Sequence, residues 1–108
     1  MEKVSFSTDR GRLYAMIKCE LDHHSAREVR EAIDRRLFLE RPRSLFLDFS
    51  EVGFMDSSGL ALILGRAEAA GAVGCLVYLI GMSAGILRLI TLSGVDRVAN
   101  ITVLPKEV

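Results

Sequence analysis

Asp56-Ser57-Ser58-Gly59 sets a carboxylate, two hydroxyls and a glycine in succession, directly after the large apolar pair Phe54-Met55. That composition suits a helix start, where Asp or Ser side chains accept hydrogen bonds from the first backbone N–H groups. The same exposed donors tolerate a phosphate, and a hydroxyl among them can carry one. Capping and phosphate acceptance are compatible, because the two serines can divide the roles. A second segment, Cys19-Glu20-Leu21-Asp22-His23-His24, gathers a thiol, two carboxylates and two imidazoles. These groups invite a metal reading, but adjacent histidines usually point different ways and only one cysteine is close. His23 and His24 are therefore read as a solvent-facing turn before a helix. Nucleophilic catalysis by Ser58, with His23 or His24 as base, is disfavoured because no GxSxG elbow surrounds the serine.

Both segments need elements to hold them. Val4-Ser5-Phe6-Ser7 alternates as an edge strand with one wet face. Asp9-Arg10-Gly11-Arg12 is turn chemistry, and Leu13–Ile17 runs apolar on both faces, which predicts a second strand covered on both sides and paired antiparallel to the first. Ser25-Ala26-Arg27-Glu28 reads as a capping box opening an amphipathic helix with Val29, Ile33 and Leu37 inward. Pro42 ends it. Ser44–Phe49 reads as a central strand, and Ser50–Asp56 as a loop. A helix from Ser57-Ser58 to Gly71 points Leu60, Ile63, Leu64 and Ala67 to the core. Cys75–Ile80 is a buried strand. Ser83 caps a third helix bearing Ile86, Leu87, Leu89 and Ile90 and closed by Ser93-Gly94, and Ile101–Leu104 is a last strand before Pro105. The order β-β-α-β-α-β-α-β predicts an α/β fold with right-handed crossovers and a mostly parallel sheet. In such sheets sites collect at the carboxyl ends of strands, where both reactive segments fall.

The chain has 108 residues, half of them hydrophobic, with 14 basic and 14 acidic side chains. That length holds one domain with its own core. Balanced charge supplies no basic field for nucleic acid or an anionic membrane. Ala69–Leu87 lacks charge, but Gly71, Gly74, Gly81 and Gly85 divide it into pieces too short to span a bilayer. Met1-Glu2-Lys3-Val4-Ser5-Phe6 has no apolar run of a signal peptide. Cys19 and Cys75 form no CxxC, so both are read as reduced thiols of a cytoplasmic protein.

Leu47-Asp48-Phe49-Ser50-Glu51-Val52-Gly53-Phe54-Met55-Asp56-Ser57-Ser58-Gly59-Leu60-Ala61-Leu62-Ile63-Leu64-Gly65-Arg66 resembles the signature of the STAS family, and within it the bacterial anti-sigma factor antagonists. Glu20-Leu21-Asp22-His23-His24-Ser25-Ala26 is similar to a stretch of the sporulation-type members, and Leu87–Val95 fits the family's last helix. The resemblance spans nearly the whole chain. It implies a single STAS domain over 1–108, with one mixed, mostly parallel sheet of about five strands and three to four helices. It further implies that Ser58 is phosphorylated by an anti-sigma factor that is also a serine kinase, with ATP or ADP bound on that partner. Unmodified protein would bind the anti-sigma factor and free its sigma factor. The modified protein would let go until a metal-dependent serine phosphatase resets it. Glu20, Asp22, His23, His24, Asp56, Ser57, Gly59 and Leu60 would then form the partner surface, with no cofactor or metal of its own. Cys19 stands where the family usually has Gly, which permits backbone angles that Cys dislikes.

Two rivals have sequence criteria. A phosphoacceptor receiver domain would use Asp48, but the acidic pair such domains need does not follow Ile17. A STAS module that binds a nucleotide or small ligand, or serves a stress-signalling assembly, is the alternative within the family. No GxxxxGK[ST] loop supports it.

Overall fold

The computed structural model describes residues 2–104; Met1 and 105–108, including the proline expected to follow the last strand, lie outside the described residues. The order is β1 (Val4–Asp9), β2 (Arg12–Ile17), α1 (Ser25–Glu40), β3 (Ser44–Asp48), α2 (Ser57–Ala72), β4 (Leu76–Ile80), α3 (Ala84–Ser93), a 3-10 turn (Val95–Arg97) and β5 (Ile101–Val103). One sheet runs β1-β2-β3-β4-β5, antiparallel only between β1 and β2. Arg10 and Gly11 close that hairpin with φ of 52° and 80°, the left-handed pair that matches the twist of a two-residue turn.

Strand order and chain order coincide, so every right-handed crossover steps the same way and leaves its helix on the same face. The strands record this. Leu13, Leu45, Val77 and Ile101 are register partners and buried, as are Ala15, Leu47 and Leu79. The alternate positions Tyr14, Phe46 and Tyr78, also register partners, are only half-buried. Sequence predicts β2 covered on both sides; the structure covers one. On the open face the three rings cover one another instead, stacked with centroids 4.6 and 4.7 Å apart. Such pairs add about 0.5–1.5 kcal/mol each beyond area burial.

On the closed face α1 presents Val29, Ile33 and Leu37, as its periodicity predicts. Helix α2 presents Gly59, Leu62, Ile63, Arg66, Ala67 and Ala70. Leu64, expected inward, is exposed, and Leu60 is half-buried. Apolar residues surround α2 on most sides, so its periodicity allows several faces and packing chooses one. In α3, Ile86 and Ile90 are buried, whereas Leu87 and Leu89 are half-buried. Ser83 Oγ accepts from Ile86 N–H at 3.2 Å and Gly94 closes α3 at φ 84°, both as predicted. Cys19 and Cys75 are free thiols, and burial pushes the Cys75 thiol up to about 11. Among the described residues, no helix is long and apolar enough to cross a membrane.

Candidate functional site

The two reactive segments meet at the carboxyl ends of β2 and β3. Leu21 N–H donates to the Phe54 carbonyl at 3.0 Å, and Asp56 N–H donates to the Leu21 carbonyl at 3.1 Å. These bonds make Leu21 and Met55 an isolated parallel bridge that extends the β2–β3 pairing into the loops. Leu21 and Met55 are buried beneath the junction, while Glu20, His23, His24, Phe54 and Ser57 remain exposed around it. The two loops are one surface.

Asp56 is the N-cap of α2: its Oδ1 accepts from Ser58 N–H at 2.7 Å, and Gly59 N–H bonds the Asp56 carbonyl at 3.0 Å. With the cap supplied by Asp56, neither serine hydroxyl is required to cap the helix. Ser57 is exposed and Ser58 half-buried. Gly59, read from sequence as a partner contact, is buried. A Cβ built there would lie 2.0 Å from Met55 Cγ and 2.5 Å from its Sδ. The absent side chain lets α2 sit down on the Leu21–Met55 junction. Gly59→Ala is expected to cost about 1–3 kcal/mol in overpacking, reduced by about 1 kcal/mol of helix propensity. Urea unfolding measures it; wild-type stability in the variant would mean that Met55 swings aside freely.

The start of α1 differs from the expected capping box. Ser25 and Glu28 do not share it, because Glu28 pairs with Lys3 at 3.2 Å. The reciprocal pair lies three residues earlier. Asp22 Oδ1 accepts from His24 and Ser25 N–H, both at 2.9 Å, and Ser25 Oγ accepts from Asp22 N–H at 3.2 Å. Asp22 O accepts from Ala26 N–H, the first helical turn. Ser25 Oγ also donates to the Glu20 carbonyl, so a buried serine pins the loop that leads into the helix. Cys19, in the glycine position of the resemblance, is not among the positive-φ residues and packs half-buried against the core, so the loop needs no glycine there.

Hydrogen bonds from Ser25 N–H, and secondarily from His24 N–H, hold the Asp22 carboxyl below the ordinary carboxylate range. A lowered folded pKa contributes stability that is present above the unfolded value of about 4 and lost as pH falls through the folded value. In thermal melts, Asp22→Asn is therefore expected to lie below wild type at pH 7, with the gap closing in acid. A gap that stays constant into acid would show that Asp22 ionisation is not linked to folding.

Between α1 and α2 runs a groove of about 370 Å³, lined by His23, Ala26, Arg27, Arg30, Ser58, Ala61 and Leu62. It places Ser58 opposite the basic side chains of α1. His23 faces it, and His24 stands edge-on to His23 with ring centroids 5.8 Å apart. Further along the interface Arg66 is buried, with its Nε 2.9 Å from Asp34 Oδ1. The inward stripe of Val29, Ile33 and Leu37 leaves Asp34 off the buried face of α1, and no sequence expectation attaches to Arg66. A guanidinium at a core-facing position between Ile63 and Ala70 was the available signal. Phe54, half exposed at 50% beside the bridge, presents a large apolar side chain on this surface.

Comparison with known proteins adds the family. The model of the STAS domain matches residues 7–105. The chain is 29% identical over 99 residues to an anti-sigma F factor antagonist of Paenibacillus polymyxa, covering 92% of this chain and 85% of the relative. It is 32% identical over 75 residues to an anti-sigma F factor antagonist of Lysinibacillus sphaericus, covering 69% and 64% respectively. The fold matches that of the anti-sigma factor antagonist SpoIIAA in its unphosphorylated form, with a TM-score of 0.73 at 23% identity over 96% of this chain and 89% of that one. The sheet, the bridged loops and the capped serine helix therefore sit in a recognised framework, and the chain belongs to the STAS domain family.

Proposed function

We propose that this protein is a cytoplasmic anti-sigma factor antagonist of the sporulation type, switched by phosphorylation of Ser58. In the unmodified state the bridged loops and the start of α2, with Glu20, Asp22, His23, His24, Asp56, Ser57 and Leu60, dock on a kinase-type anti-sigma factor and displace its sigma factor. Gly59 serves that surface from beneath, by letting α2 approach Met55. The protein acts as a substrate: Ser58 Oγ bonds the γ-phosphorus of ATP held by the partner, the bond to ADP breaks, and the hydroxyl proton passes to a base on the partner. A metal-dependent serine phosphatase returns the hydroxyl by transferring the phosphoryl group to water.

The observation that carries this reading is the position of Ser58. It stands at the second residue of α2 with its amide already held by Asp56, so its hydroxyl is not committed to capping, and it borders the surface formed by both loops. The relatives named as antagonists support the same role. Incubation with the cognate kinase and ATP is expected to add a single phosphate, read by intact mass, and Ser58→Ala to abolish it. Peptide mapping that placed the phosphate on Ser25 or Ser83 would overturn the assignment.

A further inference from the structure

We propose that the groove between α1 and α2 is a built-in cradle for the phosphate of phosphorylated Ser58, with Arg27 and Arg30 of α1 as its cationic wall. This rests on the assignment of Ser58 as phosphoacceptor and adds where the phosphate goes.

The groove is open between the helices because Ala26 and Ala61 line it with small side chains. Ser58 borders it from α2; His23, Arg27 and Arg30 border it from the other side; among the described residues no carboxylate lines it. Arg30 has no carboxylate within ion-pairing distance among the described residues. Arg27 pairs with Glu31 at 3.2 Å, but both side chains are more than half exposed, and such helix-surface pairs are weak enough to be exchanged for a stronger anion. A phosphate carries about −1.5 to −2 charges at pH 7 and pairs bidentately with guanidinium.

The end of α2 does not supply this charge by itself. Asp56 already occupies its first amides and brings a carboxylate, and Asp22 lies on the neighbouring loop. Both oppose a phosphate. The compensating charge must come from α1, and only the packing of α1 on α2 puts it there. A phosphate so held lies along the protein's own surface, bridges the two helices, and blocks the groove next to the docking loops.

The test installs phosphoserine at position 58 during translation, so that no kinase is needed, and follows the phosphate by 31P NMR through a pH titration at low ionic strength. The second ionisation of phosphoserine is ordinarily near 6. In the folded protein it is expected about 1 unit lower than in the same protein unfolded in urea, the shift that a nearby guanidinium gives an acid. The double variant Arg27→Gln/Arg30→Gln, checked for folding by its melting curve, is expected to lose at least half of that shift. Equal titration of folded and unfolded phosphoprotein would overturn the cradle. So would a depression that survives in the double variant, since the helix end would then be its source. Failure of the kinase assay would instead count against the phosphoacceptor assignment and leave this titration readable.

Discussion

Phosphorylated protein is expected to bind the kinase-type anti-sigma factor about 2–5 kcal/mol more weakly than unmodified protein, the range for an unmatched charge placed in an interface. Since every 1.4 kcal/mol is tenfold, this is roughly thirty-fold to several thousand-fold in Kd. The cause is local. Ser58 sits against a surface that already carries the Asp56 and Asp22 carboxylates, both engaged in capping their helices. A phosphate adds further negative charge and bulk beside them, where a partner fitted to the hydroxyl form has neither cation nor room. Ser58→Ala is expected to bind like the unmodified protein, and Ser58→Glu to fall between the two, because a carboxylate has one charge and a different shape. Titration calorimetry on folded samples decides. Equal affinity of the phosphorylated and unmodified forms would exclude a switch at this residue.

The second large effect concerns stability. Arg66→Ala is expected to destabilise the protein by about 3 kcal/mol, whereas Arg66→Met, which keeps the length of the stem, is expected to cost less than about 1 kcal/mol. Arg66 is 6% exposed and touches Asp34 at 2.9 Å, but without the alignment of a hydrogen bond, and its Nη1 has no hydrogen-bond partner among the described residues. Burial lowers the Arg66 pKa more than Asp34 raises it, and burial raises the Asp34 pKa more than Arg66 and Arg30 lower it. Desolvation outweighs attraction on both partners. A pair at 2.9 Å without hydrogen-bond alignment is poorly compensated for its burial, so the packing of the Arg66 stem between the helices is expected to be most of what Arg66 contributes. The Asp34 side chain is 42% exposed although its Oδ1, which faces Arg66, is buried, so water reaches the carboxylate from one side when its partner is removed. Urea unfolding separates the two variants. If Arg66→Met proved as unstable as Arg66→Ala, the charge and not the stem would hold α1 to α2.

Local chemistry made much of the fold legible. Arg10-Gly11, Pro42, Ser83 and Gly94 end or begin elements through their own backbone and side-chain preferences, and each does so where expected. The apolar stripe of α1 is legible for a related reason: polar residues on the other faces leave Val29, Ile33 and Leu37 a single way to turn. The start of α1 at Ser25 is legible, but its capping pair is not, because Asp22 and Ser25 satisfy the same spacing as Ser25 and Glu28. The choice fell to Lys3, which draws Glu28 away, and to the Glu20 carbonyl, which holds Ser25.

By itself the sequence determined the α/β order, the capped serine helix and both reactive loops, because caps, turns and periodicity act over a few residues. The two loops are expected on one partner surface from the resemblance, and only the tertiary structure decided how they join. The Leu21–Met55 bridge pairs backbone groups that carry no side-chain signature and become neighbours through the β2–β3 pairing. It likewise decided that the helices share one face, since that follows from strand order, and that Leu64 faces water while Arg66 is buried. The groove that sets Ser58 opposite Arg27 and Arg30 belongs to the same class. Periodicity establishes which residues share a face of a helix; the packing of the whole chain selects which face meets its neighbour.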